Sequence, residues 1–355
     1  MKKGLLYLLI ITSFLSCSKS KDAVPVVVAG ILQIKAADMS FIPEVRAAGI
    51  ATKNEAGQAE DMLLTLKNNG VNCIRLRLWK DPAAGTSSFN TVKALSQEIK
   101  GKGMKVWISV HYSDTWADPG SQVKPAAWNG FSFSQLKDSV FNYTKKIATE
   151  INPDYIQIGN EINSGFLFPE GSINNPAQLK ELLTAGTQAV RAAAPNCKIM
   201  LHCAGYDVAD YFFTTLQSID YDIMAISYYP VWHGKNLNDL KTSLANLASS
   251  KNKPVVIAET AYPFTFGFND YTNNIIGDNS QVITAYPASN EGQKNFLLAL
   301  KKLVSETPKG LGFCYWGAEW ISMYGPISTT GSSWENQALW DFNNKALPAI
   351  QVFKD

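Results

Sequence analysis

Ile156-Gln157-Ile158-Gly159-Asn160-Glu161 is an apolar run that stops abruptly at an amide and a carboxylate. Val255-Val256-Ile257-Ala258-Glu259 repeats the pattern further along. A short apolar run bounded by polar residues reads as a buried strand. A Glu at its C-terminal end falls where a parallel barrel opens to solvent, the face on which the active sites of such barrels are built. Two such Glu on two strands are what a retaining glycosidase requires: a general acid/base and a nucleophile about 5 to 5.5 Å apart. One Glu in that position reads equally well as the start of a solvated loop. Two of them, the first preceded by Asn, favour the catalytic reading.

Outward from these two strands, the same β-branched texture recurs. Strands are predicted at Ile31–Ala37, Val71–Leu78, Lys105–Val110, Tyr155–Gly159, Lys198–His202, Ile223–Ser227, Pro254–Ala258 and Gly310–Tyr315. Helical patterns lie between them at Ala59–Asn69, Thr91–Gly101, Ser134–Glu150, Leu179–Ala193, Leu237–Ser250 and Gly292–Val304. Leu136, Val140, Tyr143 and Ile147 illustrate the spacing of three and four, and Asn69-Gly70 a helix stop. Strand-then-helix repeated around a chain of 355 residues predicts an α/β fold, a single (β/α)8 TIM barrel over residues 29–355. An open doubly wound sheet would need a Gly-rich phosphate turn after its first strand, and Ala36-Ala37-Asp38-Met39 is not one. The long loops follow the third, fourth, seventh and eighth strands and carry many of the aromatics, so they read as walls of a groove at the C-terminal face.

Other chemistry-bearing residues also fall at strand ends. Glu161 is the candidate acid/base and Glu259 the candidate nucleophile. Asn160 is placed to bond a sugar hydroxyl. Arg75 and Arg77, on one face of the second strand, are candidates for the cation that keeps a nucleophilic carboxylate ionised. His111 and His202 end the third and fifth strands. A metal could use them, but no H-x-x-H or H-E-x-x-H spacing is present, and hydrogen bonding to sugar or to the two Glu is the preferred reading. No metal site is expected. Tyr228-Tyr229 ends the sixth strand, where a hydroxyl can donate to the nucleophile or simply sit at the core rim. Trp316 ends the eighth, as a floor for the sugar being cleaved.

The formal net charge is +2, and Lys2 and Lys3 account for it. No block of like charge marks a nucleic-acid partner, and the balance suits a neutral ligand. Met1-Lys2-Lys3 followed by the apolar Leu5–Leu15 reads as an export signal over residues 1–16, too short to span a bilayer. Leu15-Ser16-Cys17 resembles a bacterial lipobox, with Cys17 the lipidated first residue and residues 17–28 a tether; the competing reading is an ordinary signal peptide with an incidental Cys. Cys73, Cys197, Cys203 and Cys314 lie in apolar runs without a C-x-x-C pair and read as buried thiols.

Several stretches together resemble glycoside hydrolase family 53, the endo-β-1,4-galactanases. They are Ala37-Asp38-Met39-Ser40 with Pro43-Glu44, Asn72 to Trp79, His111-Tyr112-Ser113-Asp114-Thr115-Trp116-Ala117-Asp118-Pro119-Gly120, Gly159-Asn160-Glu161, Ser227-Tyr228-Tyr229-Pro230 with Trp232, and Glu259-Thr260-Ala261-Tyr262-Pro263. The resemblance runs from Lys35 to the Trp340 region. It implies retaining hydrolysis of β-1,4-galactan, the side chain of type I arabinogalactan in pectin, with Glu161 as acid/base and Glu259 as nucleophile. It adds Asp114 to the substrate-binding candidates, beside Trp116 and Trp320, which the aromatics of the long loops supply. It implies no required cofactor and a polysaccharide as partner; the lipobox reading adds an exported, lipid-anchored protein, expected as a monomer at the outer membrane. Two departures stand out. Family members usually carry Trp-Glu-Pro after the eighth strand, where this chain has Trp316-Gly317-Ala318-Glu319-Trp320. Some bacterial members bind calcium through an Asp-rich loop, where this chain has Gly267 to Asn274 with a single Asp, so a structural calcium is not expected. The rival readings are a related mannanase or xylanase, and an inactive glycan-binding surface lipoprotein.

Overall fold

The computed structural model describes residues 31–355. The expected signal peptide and the tether with Cys17 lie outside the described residues. Eight parallel strands close into a barrel in sequence order. They are β1 (Ile34–Asp38), β2 (Cys73–Leu78), β3 (Lys105–Val110), β4 (Tyr155–Ile158), β5 (Lys198–Ala204), β6 (Ile223–Ser227), β7 (Val255–Thr260) and β8 (Gly310–Tyr315). The expected (β/α)8 barrel is therefore the fold. Around it lie α1 (Ile42–Ala47), α2 (Met62–Asn68), α3 (Phe89–Gly101), α4 (Phe133–Glu150), α5 (Pro176–Ala193), α6 (Ala209–Thr215), α7 (Pro230–His233), α8 (Leu237–Lys251) and α9 (Asn290–Glu306). The unit after β8 closes with a six-residue 3₁₀ segment, Pro348–Phe353, in place of a long helix. Its Ala349, Ile350, Val352 and Phe353 are buried, and Phe353 stacks on Phe313 of β8. Among the described residues no helix is long and apolar enough to cross a membrane.

Several helices start where a side chain can satisfy their free N–H groups. Asp61, Ser88 and Ser289 cap α2, α3 and α9, and Ser132 with Gln135 forms a capping box on α4. One face then packs on the barrel. On α4 this face is Leu136, Val140, Tyr143 and Ile147, all buried. Full burial of a large apolar side chain is worth about 1.5–3 kcal/mol, so four of them outweigh the modest helix propensity of the Ser, Thr and Asn around them.

Inside the barrel the residues are layered. Ile34, Ala36, Cys73, Trp107, Met200, Ala225, Val256 and Cys314 form an apolar lower cluster. Continuing each strand two residues toward its C-terminal end replaces these by Asp38 (after Ala36), Arg75 (after Cys73), Ser109 (after Trp107), His202 (after Met200) and Ser227 (after Ala225). All five are buried. Trp107 plugs the transition, fully buried, with the Arg75 guanidinium 5.7 Å from its ring centroid. The polar layer is the base of the site. The four described cysteines are free and buried.

Candidate active site

Both carboxylates reach the mouth by breaking the regular strand. In β7 alternation puts Val256 and Ala258 inside, which would send Glu259 outward among the helices. The pairing with β6 and with β8 shifts register here, and Ser227 pairs with Glu259. A bulge of this kind re-aims a side chain, and Glu259 turns into the cleft. At the end of β4, Gly159 has φ +81° and Glu161 sits in the left-handed region at φ +46°. Few residues other than glycine adopt that conformation, which costs free energy and is found at functional sites. It allows Asn160 and Glu161, consecutive in sequence, to face the same cleft.

That cleft occupies about 530 Å3 at the C-terminal mouth and is lined by both Glu, Arg75, His111, Asn160, Tyr229 and a wall of tryptophans. Carboxylate oxygens of Glu161 and Glu259 lie within 4.8 Å of each other. Glu259 is held from two sides: Arg75 Nη2 donates to Oε1 at 2.7 Å and the Tyr229 hydroxyl donates to Oε2 at 3.0 Å. Arg75 also donates to Asp38 at 2.7 Å, to Asn160 Oδ1 at 2.8 Å and to Ser109 at 3.1 Å. An Arg that is 1% exposed needs such a shell, because an unpaired buried charge is very costly. The Asn160 amide nitrogen gives one hydrogen to Ala117 O at 2.8 Å and keeps the other for a ligand.

Glu161 has different company. Ser227 Oγ donates to its Oε1 at 2.5 Å, and no cation pairs with it among the described residues. His202 Nδ1 accepts from the Glu161 backbone N–H and from Gln157 Nε2, so its proton is on Nε2, which donates to Ser227 Oγ at 2.8 Å. Burial drives His202 and His111 well below the usual imidazole range, so both are neutral. Burial, then the charge of Glu259, push the Glu161 carboxyl up to about 8. Burial also raises Glu259, but Arg75 and Tyr229 oppose it. Of the two, Glu161 is the carboxyl whose surroundings favour the protonated form, and Glu259, facing Arg75, is the one whose surroundings favour the charge.

Glu161, His202 and Glu259 are close enough together to share an ion. Their atoms are otherwise engaged: both His202 nitrogens are in hydrogen bonds, and Arg75 supplies positive charge to Glu259.

The remaining expected residues divide. Trp316, Trp116 and Trp320 form one aromatic wall, with centroids 4.9 to 6.1 Å apart. His111 lines the cleft and fixes the Trp116 loop by accepting from Ala117 N–H at 3.1 Å. Arg77 lines it too, but it gives no charge to Glu259. Its guanidinium lies over Trp116, Phe41 and Trp79 at 4.0, 4.5 and 4.6 Å and donates to Ser87. The one-face reading of Arg75 and Arg77 is right, but Arg77 is one layer too high to reach the nucleophile. His202 is fully buried beneath Glu161, and it positions rather than touches a ligand. Tyr228 points away from the cleft: its hydroxyl donates to Gly234 O and its ring packs near Phe296 of α9. Asp114 does not line the cleft either; it accepts from Asp81 N–H and Ala126 N–H and braces two loops, while Asp118 is the cleft residue of that motif. In the departing segment after β8, the Glu319 carboxylate is buried and accepts from Phe41 N–H at 2.7 Å. Phe41 in turn packs edge-on against Trp320 at 4.5 Å. In the Gly267–Asn274 loop, Asp270 accepts from Thr272 N–H and Ser322 Oγ, which ties this loop to the one after β8.

Sequence reasoning passed over Asp38, Ser109, Gln157 and Ser227 as site residues, and Trp232 and His233 as cleft wall, whereas Trp334, one of the loop aromatics read as groove wall, does line the cleft. The first four carried a usable signal: each is a polar residue at an inward position near the end of an apolar run.

The glycosyl hydrolase family 53 model matches residues 34–353, the whole barrel. The chain belongs to glycosyl hydrolase family 53. It is 34% identical to a probable arabinogalactan endo-beta-1,4-galactanase A of Aspergillus tubingensis, over 94% of this chain and 98% of that one. Among solved structures it resembles the family 53 catalytic domain of Ignisphaera aggregans, with a TM-score of 0.86 and 39% identity over 94% of this chain and 97% of that one. A structure of fungal beta-1,4-galactanases superposes with a TM-score of 0.81 at 30% identity, covering 91% and 99%. The family 53 barrel mouth in this chain thus carries two close carboxylates in unequal surroundings.

Proposed function

We propose that this protein is an endo-acting galactanase that hydrolyses the β-1,4-galactosidic bonds of galactan and type I arabinogalactan with retention of configuration. The observation that carries the retaining mechanism is the spacing of Glu161 and Glu259, whose oxygens lie within 4.8 Å of each other. An inverting pair needs about 6.5–9.5 Å to admit a water between acid and base. Glu259, ionised beside Arg75 and Tyr229, attacks the anomeric carbon. Glu161, protonated, gives its proton to the departing glycosidic oxygen. Water then enters, loses a proton to Glu161 and releases the sugar from Glu259. These two carboxylates and water balance the reaction, so no cofactor is needed. Asn160 bonds the 2-hydroxyl of the reacting sugar, and Trp316 lies beneath it.

The galactan substrate is supported by the family and by the activity named for its galactanase relatives. A panel of pure β-1,4-galactan, mannan and xylan tests it: reducing sugar should appear from galactan alone, in oligosaccharides of several lengths. Release from mannan or xylan and not galactan overturns the substrate and keeps the mechanism.

The N-terminal sequence supports a lipid-anchored, exported protein. Replacing Cys17 by Ala should move the protein from the membrane fraction to the soluble one with unchanged activity per molecule, since residues 17–28 precede the barrel. Stable attachment takes more than one acyl chain or a second membrane signal, so retention of the Cys17→Ala protein in membranes would point to another anchor.

A further inference from the structure

The hydrogen bonds beneath Glu161 form a chain that runs in one direction. It begins at a group that can only donate: the Glu161 backbone N–H gives its hydrogen to His202 Nδ1 at 3.2 Å. His202 is fully buried and neutral, so its single ring proton is on Nε2. That N–H donates to Ser227 Oγ at 2.8 Å. Ser227 ends β6 and is fully buried, on the inward face that Ile223 and Ala225 share below it. A hydroxyl has one hydrogen to give. Among the described residues its one acceptor is Glu161 Oε1, at 2.5 Å. A proton on Oε1 would leave the Ser227 hydrogen without an acceptor, and a buried donor left unpaired is costly. Oε1 is therefore held as an acceptor. Oε2 makes no hydrogen bond to the described residues, and Glu161 lines the cleft.

We infer that Ser227 is a positioning residue that confines the transferred proton to one oxygen of Glu161, Oε2, on the cleft side. The inference rests on the two-carboxylate reading above and adds which oxygen is the acid and what selects it. In the first step the Oε2–H bond breaks and the proton goes to the glycosidic oxygen. The bond from that oxygen to the anomeric carbon breaks with its electron pair on the departing oxygen, and Glu259 bonds to the carbon. Glu161 is left as an anion with Ser227 still donating to Oε1, so the bond that orients the acid also stabilises its conjugate base. In the second step water loses its proton to Oε2. Neither step requires Ser227 or His202 to move or to release a proton. The other titratable groups facing Glu161 are Glu259 on β7, Arg75 on β2, Asp118 in the loop after β3, Tyr229 after β6 and Cys203 on β5. None of them donates to its carboxyl, so the choice of oxygen belongs to Ser227.

The test compares kcat/KM, which reports the first bond-breaking step, on galactan and on an aryl β-1,4-galactobioside whose leaving group departs unprotonated. The full-length chain would be used as wild type, Ser227→Ala, Ser227→Cys and Ser227→Thr, with melting temperatures recorded for each. Ser227→Ala should lose about 10- to 100-fold on galactan, the range for one hydrogen bond to a charged group, and much less on the aryl substrate. Its alkaline fall in kcat/KM should also move up by about one pH unit, because a carboxylate that loses a donor holds its proton more tightly. A packing defect would slow both substrates alike and leave that limb in place. Ser227→Cys, close to serine in shape but a weak donor, should follow Ser227→Ala without opening a cavity. Ser227→Thr, which keeps the hydroxyl, should lie nearer the wild type in both readouts. Equal losses on the two substrates with an unmoved alkaline limb in Ser227→Ala and Ser227→Cys overturn the inference, and so does wild-type behaviour in both. A wild type that cleaves another β-1,4-glycan and not galactan overturns the substrate reading alone, and the same comparison on that glycan and its aryl glycoside decides the role of Ser227. Wild-type products of inverted configuration overturn the two-carboxylate reading and this inference together.

Discussion

Glu259→Gln should lose on the order of 10⁴-fold or more in kcat on galactan, the scale seen when one member of a cooperating catalytic set is removed. The amide has the shape of the carboxylate and can keep a hydrogen bond to Arg75 or Tyr229, but it has no charge with which to form the glycosyl ester. The loss should therefore come without unfolding. A second effect accompanies it: Arg75 keeps Asp38 as its one carboxylate partner, so the buried cation remains compensated. A 2-fluoro-galactoside that forms a stable ester should label the wild type at Glu259, read by mass spectrometry of the peptide. A label on another residue would remove Glu259 from the nucleophile role.

Glu161→Ala should lose about 10²–10⁴-fold on galactan, the range general acid/base groups supply, and far less on an aryl galactoside whose leaving group departs unprotonated. Added azide should partly restore the second step, because it needs no base. The pH profile carries the same information. In the wild type kcat/KM should fall as pH rises through about 8, where Glu161 loses the proton it must donate. It should also fall on the acid side, as Glu259 takes up a proton. In Glu161→Ala the alkaline fall should vanish and the acid one remain. An alkaline limb that survives the substitution would assign the acid to another group.

Much of the barrel was legible because its strands are continuous apolar runs with polar breaks. Lys105–Val110, Ile223–Ser227 and Gly310–Tyr315 have the predicted limits residue for residue. The helices α1, α6 and α7 were not foreseen, since segments of six, seven and four residues leave too few turns for a periodicity to register. The site was legible where a residue type and a strand end coincide, as at Glu161, Glu259 and Arg75. It was not where facing decides. Tyr228 and Tyr229 are adjacent and chemically identical, and only the register of β6 against β7 turns Tyr229 inward. His202 looks like a ligand contact in sequence, yet the polar layer places it one level below, where it sets the orientation of Glu161 through Ser227 and the backbone. Trp232 and His233 lie on a helix too short to be read, so their part of the cleft stayed hidden.

The closeness of the two carboxylates also sets a timetable. While Glu259 is ionised, burial and that charge together hold the proton on Glu161, and the protein presents an acid. Once Glu259 is esterified that charge is gone, while Arg75 stays where it was. The field at Glu161 then loses the repulsion of a neighbouring anion and keeps the attraction of Arg75. Its proton has just gone to the departing sugar, and no neighbouring anion remains to draw another onto it. The same side chain stands as a base for the next molecule to arrive. Regeneration of Glu259 reverses the field and readies Glu161 to hold a proton again. The clock for the two half-reactions is thus the bond to the nucleophile itself, and it requires no moving part.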